Sequence, residues 1–493
     1  MYTLYGSEQS KLMDTVSQEK FSISEETLME DASFSAYLML KNDIGKAKHT
    51  LFLAGGGNNG GDALAIARLA YLDGIRSISV LLADRGKETD LRAKQRRAVQ
   101  RLGIEVSKEP FTCDAKFELN SADLIIDGLF GIGLKGEPRE PYNSLISHIN
   151  SKKITVISLD VPSGMGDNVP FGKAINAYRT ICMGEEKYAL YLPQNRDFAG
   201  IIEKTFPFFP EVAKPFSGIK RIILSDMKIR DFKGSDYKKT RGSIAVIGGS
   251  GRFTGAVVLA AKAAFHAGVG LVTIFTEEKL IPVISKAVTS AMVAGYGDAD
   301  DLGKFDAVLC GPGMGKDHDD MLSLALKQAK KIVLDADGIR AFARLKAMGE
   351  GKCILTPHLG EYSALLKAFL PEEKTDTPQA WLNTLKKLQK TVNAVIAVKA
   401  GTVWLEDGQQ SLVYDGQNPS LGVAGSGDVL SGIITALAAV SKPVDLENTL
   451  GVAVKNGVLI HQTAGRLACE EKTFYSAEEL IQYIGKSIRT GNK

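Results

Sequence analysis

The sequence predicts an α/β protein of two domains, each a mainly parallel sheet covered by helices. Three observations carry that prediction. Short β-branched runs alternate with stretches of helical period along the whole chain, the mark of parallel strands joined by crossover helices. At 493 residues the chain is too long for one ordinary core. Around 205–240 the alternation breaks, where "FPFFPEVAKPFSG" and "RDFKGSDYKKTRG" are rich in proline, glycine and charge. The boundary is therefore set at about 215–235, giving domains of 1–215 and 216–493.

In the first half a helical arm, "EETLMEDASFSAYLML", precedes strands at "TLFLA", "SISVLLA", "DLIIDGLF" and "ITVISLD", with a mixed run at "YRTICMG". The second half opens on "GSIAVIGG" and continues through "GLVTIF", "DAVLCGPG", "KIVLDADG", "KCILTPH" and "AVIAVKAG". Both halves begin strand, glycine loop, helix, but share no further register, so they are two domains and not a repeat. The most apolar stretch, Ala256 to Phe275, is split by Lys262, His266 and two glycines into a helix and a strand. It reads as buried core rather than a membrane span.

Composition excludes several classes. Hydrophobic content of 44% with 24% charge is that of a globular protein, and a net charge of +3 gives no electrostatic case for nucleic acid. The basic cluster "KQRRAVQR" has the spacing of a solvated helix face. Cys113, Cys182, Cys310, Cys353 and Cys469 are scattered and form no C-x-x-C pair, which suits a reducing cytoplasm. The N-terminal residues lack an apolar h-region, so a cytoplasmic location is expected. The apolar surface of the helical arm points to a homo-oligomer without fixing its number of subunits.

Nearly every expected strand carries its unusual residues at its C-terminal end: Asn58 and Asn59, Asp127, Asp160, Gly311 to Gly315, Asp335 and Asp337, His358, Lys399. Ligands of open α/β sheets bind outside those ends, so one crevice is expected per half. "GGGNNGGD" contains G-x-G-x-x-G at Gly55, Gly57 and Gly60, and the next strand ends at Asp84, where a ribose-binding acid would sit. Against a simple dinucleotide cradle stands Asp62, a carboxylate competing with phosphate for the helix amides.

In the second half, Gly425, Ser426 and Gly427 run into a helix at Asp428. Backbone N–H groups and the helix dipole would hold a phosphate there, with Asp428 placed to act on a hydroxyl being phosphorylated. A helix N-cap after a glycine turn is the structural alternative. With "GPGMG", "LDADG", "TPHLGE" and "VKAGT", in this order, "NPSLGVAGSGD" resembles the ribokinase-like family. Most specifically it is similar to the ADP- or ATP-dependent dehydratase that repairs hydrated NADH and NADPH, over about 244–440. Leu359 stands where that family has proline, and "DADG" where "DADA" is commoner. The resemblance implies a ribokinase-like α/β domain, with magnesium and ADP or ATP as co-substrate. The nucleotide would lie on Lys399, Ala400, Gly401, Thr402, Val403 and Gly427. The hydrated substrate would lie near Ala256, Gly313, His358 and Asp428. Phosphorylation makes sense chemically, because hydroxide leaves poorly and phosphate leaves well.

"GGGNNGGD", "DGLFGIGLKGE" and "LDVPSG" then resemble the epimerase domain often fused to that dehydratase, a Rossmann-like three-layer sandwich. The hydrate forms as two epimers at one carbon, the dehydratase takes one, and the epimerase interconverts them. The resemblance implies substrate contacts from Asn58, Asn59, Gly60, Gly61 and Asp62. A second set comes from Gly131, Ile132, Gly133, Leu134, Lys135, Gly136 and Glu137. Asn59, Asp127 and Ser163 offer hard oxygens to an alkali cation, which that family holds as potassium. Asp160 would be the general acid/base, assisted by Lys135; a turn aspartate before proline is the alternative. Ala63 stands where the family reads glycine, and Asp31 where it commonly reads asparagine. If position 63 needs positive φ or close substrate approach, the added methyl weakens the epimerase.

Two other functions fit parts of the sequence. "GSGD" alone suits a small-molecule kinase acting on a vitamin-precursor alcohol, although such a kinase needs no epimerase partner. The first half would otherwise be a non-catalytic binding module.

Overall fold

The computed structural model of the chain describes residues 1–83, 88–107, 121–206, 208–440 and 449–491. Asp84 and Cys113 lie outside them. The chain divides into two compact units, one of Thr3–Ile219 with Lys374–Leu382, the other of Met1–Tyr2, Lys220–Glu373 and Asn383–Lys493. The strands are numbered in chain order from β1 (Tyr2–Thr3).

The N-terminal unit is built on seven strands: β2 (Thr50–Gly55), β3 (Ile78–Ala83), β4 (Glu105–Ser107), β5 (Leu124–Gly128), β6 (Thr155–Leu159), β7 (Arg179–Cys182) and β8 (Ile201–Lys204). Their order is β4-β3-β2-β5-β6-β7-β8, and every pair is parallel. Alternate residues feed two cores. Phe52, Ala54, Val80 and Ile126 meet the helices Glu25–Lys46 and Asn58–Leu72 on one face. Leu51, Leu53, Leu81 and Ile125 meet Tyr142–Asn150 on the other. This is a three-layer sandwich, and its strands read as continuous apolar runs because both faces are covered. The helical arm is longer than its apolar run suggested, and it is part of the core: Leu28, Met29, Ala32, Tyr37, Leu40 and Ile44 are buried. Most of the surface expected to drive self-association is therefore spent inside the unit, leaving Phe34 and Leu38 exposed. An earlier helix, Ser7–Phe21, was not legible, since it buries only Met13 and Ser17.

The C-terminal unit carries β10 (Ser243–Ile247), β11 (Leu271–Thr276), β12 (Met292–Gly295), β13 (Ala307–Cys310), β14 (Ile332–Leu334), β15 (Cys353–Leu355), β16 (Ala394–Lys399), β17 (Thr402–Glu406) and β18 (Ser411–Asp415). They lie in the order β18-β17-β16-β15-β14-β13-β10-β11-β12, and β1 and β9 (Ile219–Arg221) continue the β18 edge. Pairing is parallel from β12 to β16, but β16, β17 and β18 form an antiparallel meander. The sequence reading stopped at β16, because "TVWLE" and "SLVYD" have no intervening helix to announce them. The presumed false span is the helix Thr254–His266 followed by β11. No helix among the described residues is long and apolar enough to cross a membrane.

Both sheets reverse their strand order once, between β2 and β5 and between β10 and β13. Such switch points open crevices at the strands' C-terminal ends. In the first, a Cβ on Gly55 would sit 1.9 Å from the Leu129 carbonyl oxygen, so glycine alone lets the two crevice loops touch. At the second, the Gly249 N–H donates to Pro312 O at 2.9 Å.

Candidate active sites

In the N-terminal unit the crevice is a cavity of about 760 Å³, lined by the glycine loop, the 129–135 loop, Asp160, Lys187 and the Ser7–Phe21 helix. Gly57 is the N-cap of Asn58–Leu72, which puts Asn58, Asn59 and Asp62 in its first two turns. Asp62 is buried, and Ser33 Oγ donates to its Oδ1 at 3.0 Å. Burial pushes its carboxyl well above the ordinary range. Asp62 is thus an element of the cavity wall rather than a free rival to phosphate. The loop carbonyl of Gly55 accepts from Arg92 Nε at 3.0 Å, a wholly buried guanidinium that sequence reading passed over inside a basic helix. The cluster "KQRRAVQR" itself presents Lys94, Arg97 and Arg101 to solvent.

Asp160 follows β6 with φ +66°, a conformation that a non-glycine residue holds only when its surroundings impose it. Its backbone N–H donates to Ile181 O at 2.8 Å, and its Oδ2 accepts from the Ile132 N–H at 3.0 Å. Lys187 Nζ stands 2.5 Å from its Oδ1 and also donates to Met183 O at 3.0 Å. Burial works against the Lys187 ammonium, but the Asp160 carboxylate, with Cys182 and Asp14 adding to it, holds it above the usual lysine value. The expected assistant, Lys135, lines the same cavity but is exposed. The ammonium that touches Asp160 is Lys187, 27 residues beyond it in the chain and outside the motifs. Gly133, Gly136 and Glu137 are also exposed, and Glu137 pairs with Lys173 at 2.6 Å.

Asp127 and Ser163 are brought together, and Asn59 lies next to the end of the Asp127 strand, its backbone oxygen 2.8 Å from a Cβ built on Gly128. Asp127 is fully buried; Ser163 Oγ donates to its Oδ1 at 2.6 Å and the Ser163 N–H to its Oδ2 at 2.9 Å. No cationic side chain pairs with Asp127 among the described residues. Asn59 Oδ1 is buried without a hydrogen-bond partner, while its Nδ2 donates to Leu159 O at 3.2 Å. A buried carboxylate without a counter-charge beside an orphaned amide oxygen fits a hard monovalent cation. No cluster of three His, Cys, Asp or Glu exists among the described residues, so the donor set is not that of a transition metal.

The two departures from the family pattern in this half lie away from the cavity lining. Ala63 is helical, wholly buried, and absent from the cavity lining; its methyl sits where Gly128 lacks a Cβ, which would come within 2.6 Å. Asp31 is exposed.

In the C-terminal unit the helix Ser426–Val440 begins at the glycine turn, and Asp428 stands in its first turn. Burial pushes the Asp428 carboxyl up to about 7, Asp335 adding to the rise and Lys399 opposing it. Asp335 is buried and holds Lys399 Nζ at 2.6 Å. A Cβ on Gly427 would lie 3.3 Å from that same ammonium. Lys399, Gly427 and Asp428 therefore share one corner. Thr402 and Val403 are buried, which leaves their backbone as what they can offer a ligand. Asp337 accepts the Gly315 N–H at 2.8 Å and pairs with Arg340. Gly313 and Ala256 are neighbours, 3.2 Å separating the Ala256 Cβ from a Cβ built on Gly313.

His358 caps the helix Leu359–Phe369: its Nδ1 accepts from the Gly360 and Glu361 N–H groups, and Nε2 lies 3.2 Å from Glu361 Oε1. Both ring nitrogens are engaged, so the exposed ring offers a ligand its face. Lys399 N donates to Pro357 O at 2.8 Å, tying this cap to the Lys399 corner. Sequence reading missed His461, which is buried with Nε2 3.0 Å from Ser426 Oγ; burial lowers it to about 4, keeping it neutral against the glycine turn.

The fold and the two crevices define a two-domain α/β enzyme with a carboxyl and a lysine ammonium at each sheet's C-terminal edge. Residues 244–486 match the family described as NAD(P)H-hydrate dehydratase, and residues 25–189 the family described as YjeF-related protein N-terminus. The bifunctional NAD(P)H-hydrate repair enzyme Nnr of Coxiella burnetii is 32% identical over 494 residues, covering 96% of each chain. Its counterpart in Escherichia coli is 30% identical over 422 residues, covering 83% of this chain and 80% of the other. A crystal structure of a ribokinase-like superfamily protein from Enterococcus faecalis superposes with a TM-score of 0.50 at 22% identity, covering 56% of this chain and 98% of that one. The chain belongs to the bifunctional NAD(P)H-hydrate repair enzymes.

Proposed function

We propose that the protein repairs hydrated NADH and NADPH: the N-terminal domain (1–215) interconverts the R and S hydrates, and the C-terminal domain (216–493) dehydrates the S form with ADP or ATP. The observation that carries the reading is the corner of Asp428, Lys399 and Gly427, a carboxyl poised near neutrality beside an ammonium and a helix N-terminus. Asp428 takes the proton of the substrate hydroxyl as the phosphoryl group arrives; Lys399 and the turn amides hold the phosphates. Magnesium bound to the nucleotide would screen its phosphate charge.

In the epimerase domain, Asp160 gives and takes the proton of the hydroxyl next to the ring nitrogen. Asn59, Asp127 and Ser163 would hold potassium, which supplies fixed positive charge at the crevice floor. Expected surroundings are the cytoplasm, where both nucleotides and both dinucleotides are abundant, and the exposed Phe34 and Leu38 favour a homo-oligomer.

The test is to incubate the protein with both hydrate epimers, magnesium, potassium and ADP or ATP, following NADH at 340 nm beside an Asp428→Ala control. Recovery beyond what spontaneous epimerisation allows supports both activities. Recovery of one epimer alone makes the first domain a binding module. A phosphorylated product without NADH favours a small-molecule kinase.

A further inference from the structure

Inversion at the hydrated carbon has a requirement that one acid/base group does not meet. The carbon bears a hydroxyl and a ring nitrogen. When the hydroxyl is protonated, the C–O bond breaks with its electron pair going to oxygen. Water leaves, and the nitrogen lone pair forms a planar iminium. Water then adds to the other face, its oxygen bonding to carbon and its proton passing to a base. One group donates on one face while another accepts on the opposite face, and the pair ends with its protons exchanged.

Asp160 rises from the sheet edge. The Ser7–Phe21 helix forms another part of the same wall, and its Asp14 lines the cavity with Asp160, Lys187 and Asn59, close enough for the charges of Lys187 and Asp160 to act on it. Asp14 is half-buried and has no hydrogen-bond partner among the described residues, unlike Asp62, which Ser33 occupies. The helix is fixed at its base: the Ser7 N–H donates to Asp167 Oδ2 at 2.5 Å, and Tyr5 N–H to Glu186 O at 3.0 Å beside Lys187.

We infer that Asp14 is the second catalytic carboxyl of the epimerase, working across the substrate from Asp160 with Lys187 as their shared counter-charge. The inference rests on the epimerase reading of this domain. Burial pushes the Asp14 carboxyl up to about 6; Lys187 opposes the rise, while Asp160 from the sheet edge and Glu25 from the next helix add to it. Asp62 and Glu185 are the other carboxyls lining this cavity, with Lys135 on the 129–135 loop and Lys11 on Asp14's own helix. Asp14 therefore carries the proton of a singly protonated pair. In either direction kcat/KM must fall as pH rises through about 6, when Asp14 ionises and the pair has no proton to donate.

The experiment measures epimer interconversion by the full chain on the purified R hydrate of NADH, with the spontaneous rate subtracted, across pH 5–9. Asp14→Asn is expected to lose at least about 100-fold in kcat with little change in KM, and to lose the alkaline limb. Asp14→Glu is expected to recover part of the rate and keep a limb, and Glu19→Gln, exposed on the same helix, to match wild type. Thermal melting reports folding; should Asp14→Asn unfold, the wild-type limb and Asp14→Glu still decide. An Asp14→Asn variant within about threefold of wild type, or one retaining the same limb, overturns the inference. Wild type no faster than the spontaneous rate overturns the epimerase reading itself.

Discussion

Lys187 places its ammonium 2.5 Å from Asp160 Oδ1 while only 3% of its side chain is exposed. Two ions buried this closely are interdependent, because removing either leaves the other charged and unpaired. Lys187→Met is expected to destabilise the N-terminal unit by about 3–5 kcal/mol, and Lys187→Arg by much less. Chemical unfolding of both variants checks this. Equal loss in both would mean that the ion pair is not what matters there.

With Asp428 as the proposed base, its titration sets the pH response of dehydration. Its carboxyl is raised to about 7 in the folded chain and must be ionised to act as a base, so kcat/KM for dehydration should rise through about pH 7. The same shift affects stability with the opposite sense. A carboxyl raised by folding favours the folded state while protonated; that contribution is complete below the unfolded value near 4 and is lost as pH rises through about 7. Asp428→Asn should abolish dehydration and remove that part of the stability decline, read from melting curves between pH 4 and 8.

Potassium should stabilise the folded protein more than lithium does. At saturating salt the difference is expected to be about 1–3 kcal/mol, seen as a higher Tm in KCl than in LiCl at equal ionic strength. Asn59→Ala removes the orphaned oxygen and should abolish the difference. An identical Tm in both salts would leave Asn59, Asp127 and Ser163 as a structural hydrogen-bond cluster only.

Ala63→Gly, the change toward the family pattern, should leave epimerisation unaltered. The Ala63 methyl packs beside Gly128 in a helix interior, outside the cavity. Its removal is expected to cost about 1 kcal/mol in helix propensity. A faster enzyme on this substitution would show that the methyl obstructs the substrate.

The strands and their ligand edge were legible in the sequence because strands buried on both faces read as apolar runs and the residues closing them are polar or glycine. Asn58, Asn59, Asp127, Asp160, Lys399 and Asp428 all stand at the expected ends of strands or the start of a helix. What escaped has a common cause. Asp14 lies on a polar helix with two buried residues, and Lys187 follows β7 in a segment with no periodic pattern. The meander β17–β18 lacks the strand–helix alternation that revealed the rest.

By itself the sequence determined the two α/β halves, the glycine turns and the carboxyls at the strand ends, because local periodicity and turn chemistry act over a few residues. Only the tertiary structure decided which ammonium meets which carboxyl. Asp160 pairs with Lys187 rather than Lys135, and Asp335 with Lys399, across 64 residues. It also decided that Ala63 fills the space left by Gly128. Such partners are chosen by packing between elements distant in the chain, where the cost of an unpaired buried charge outweighs any local preference.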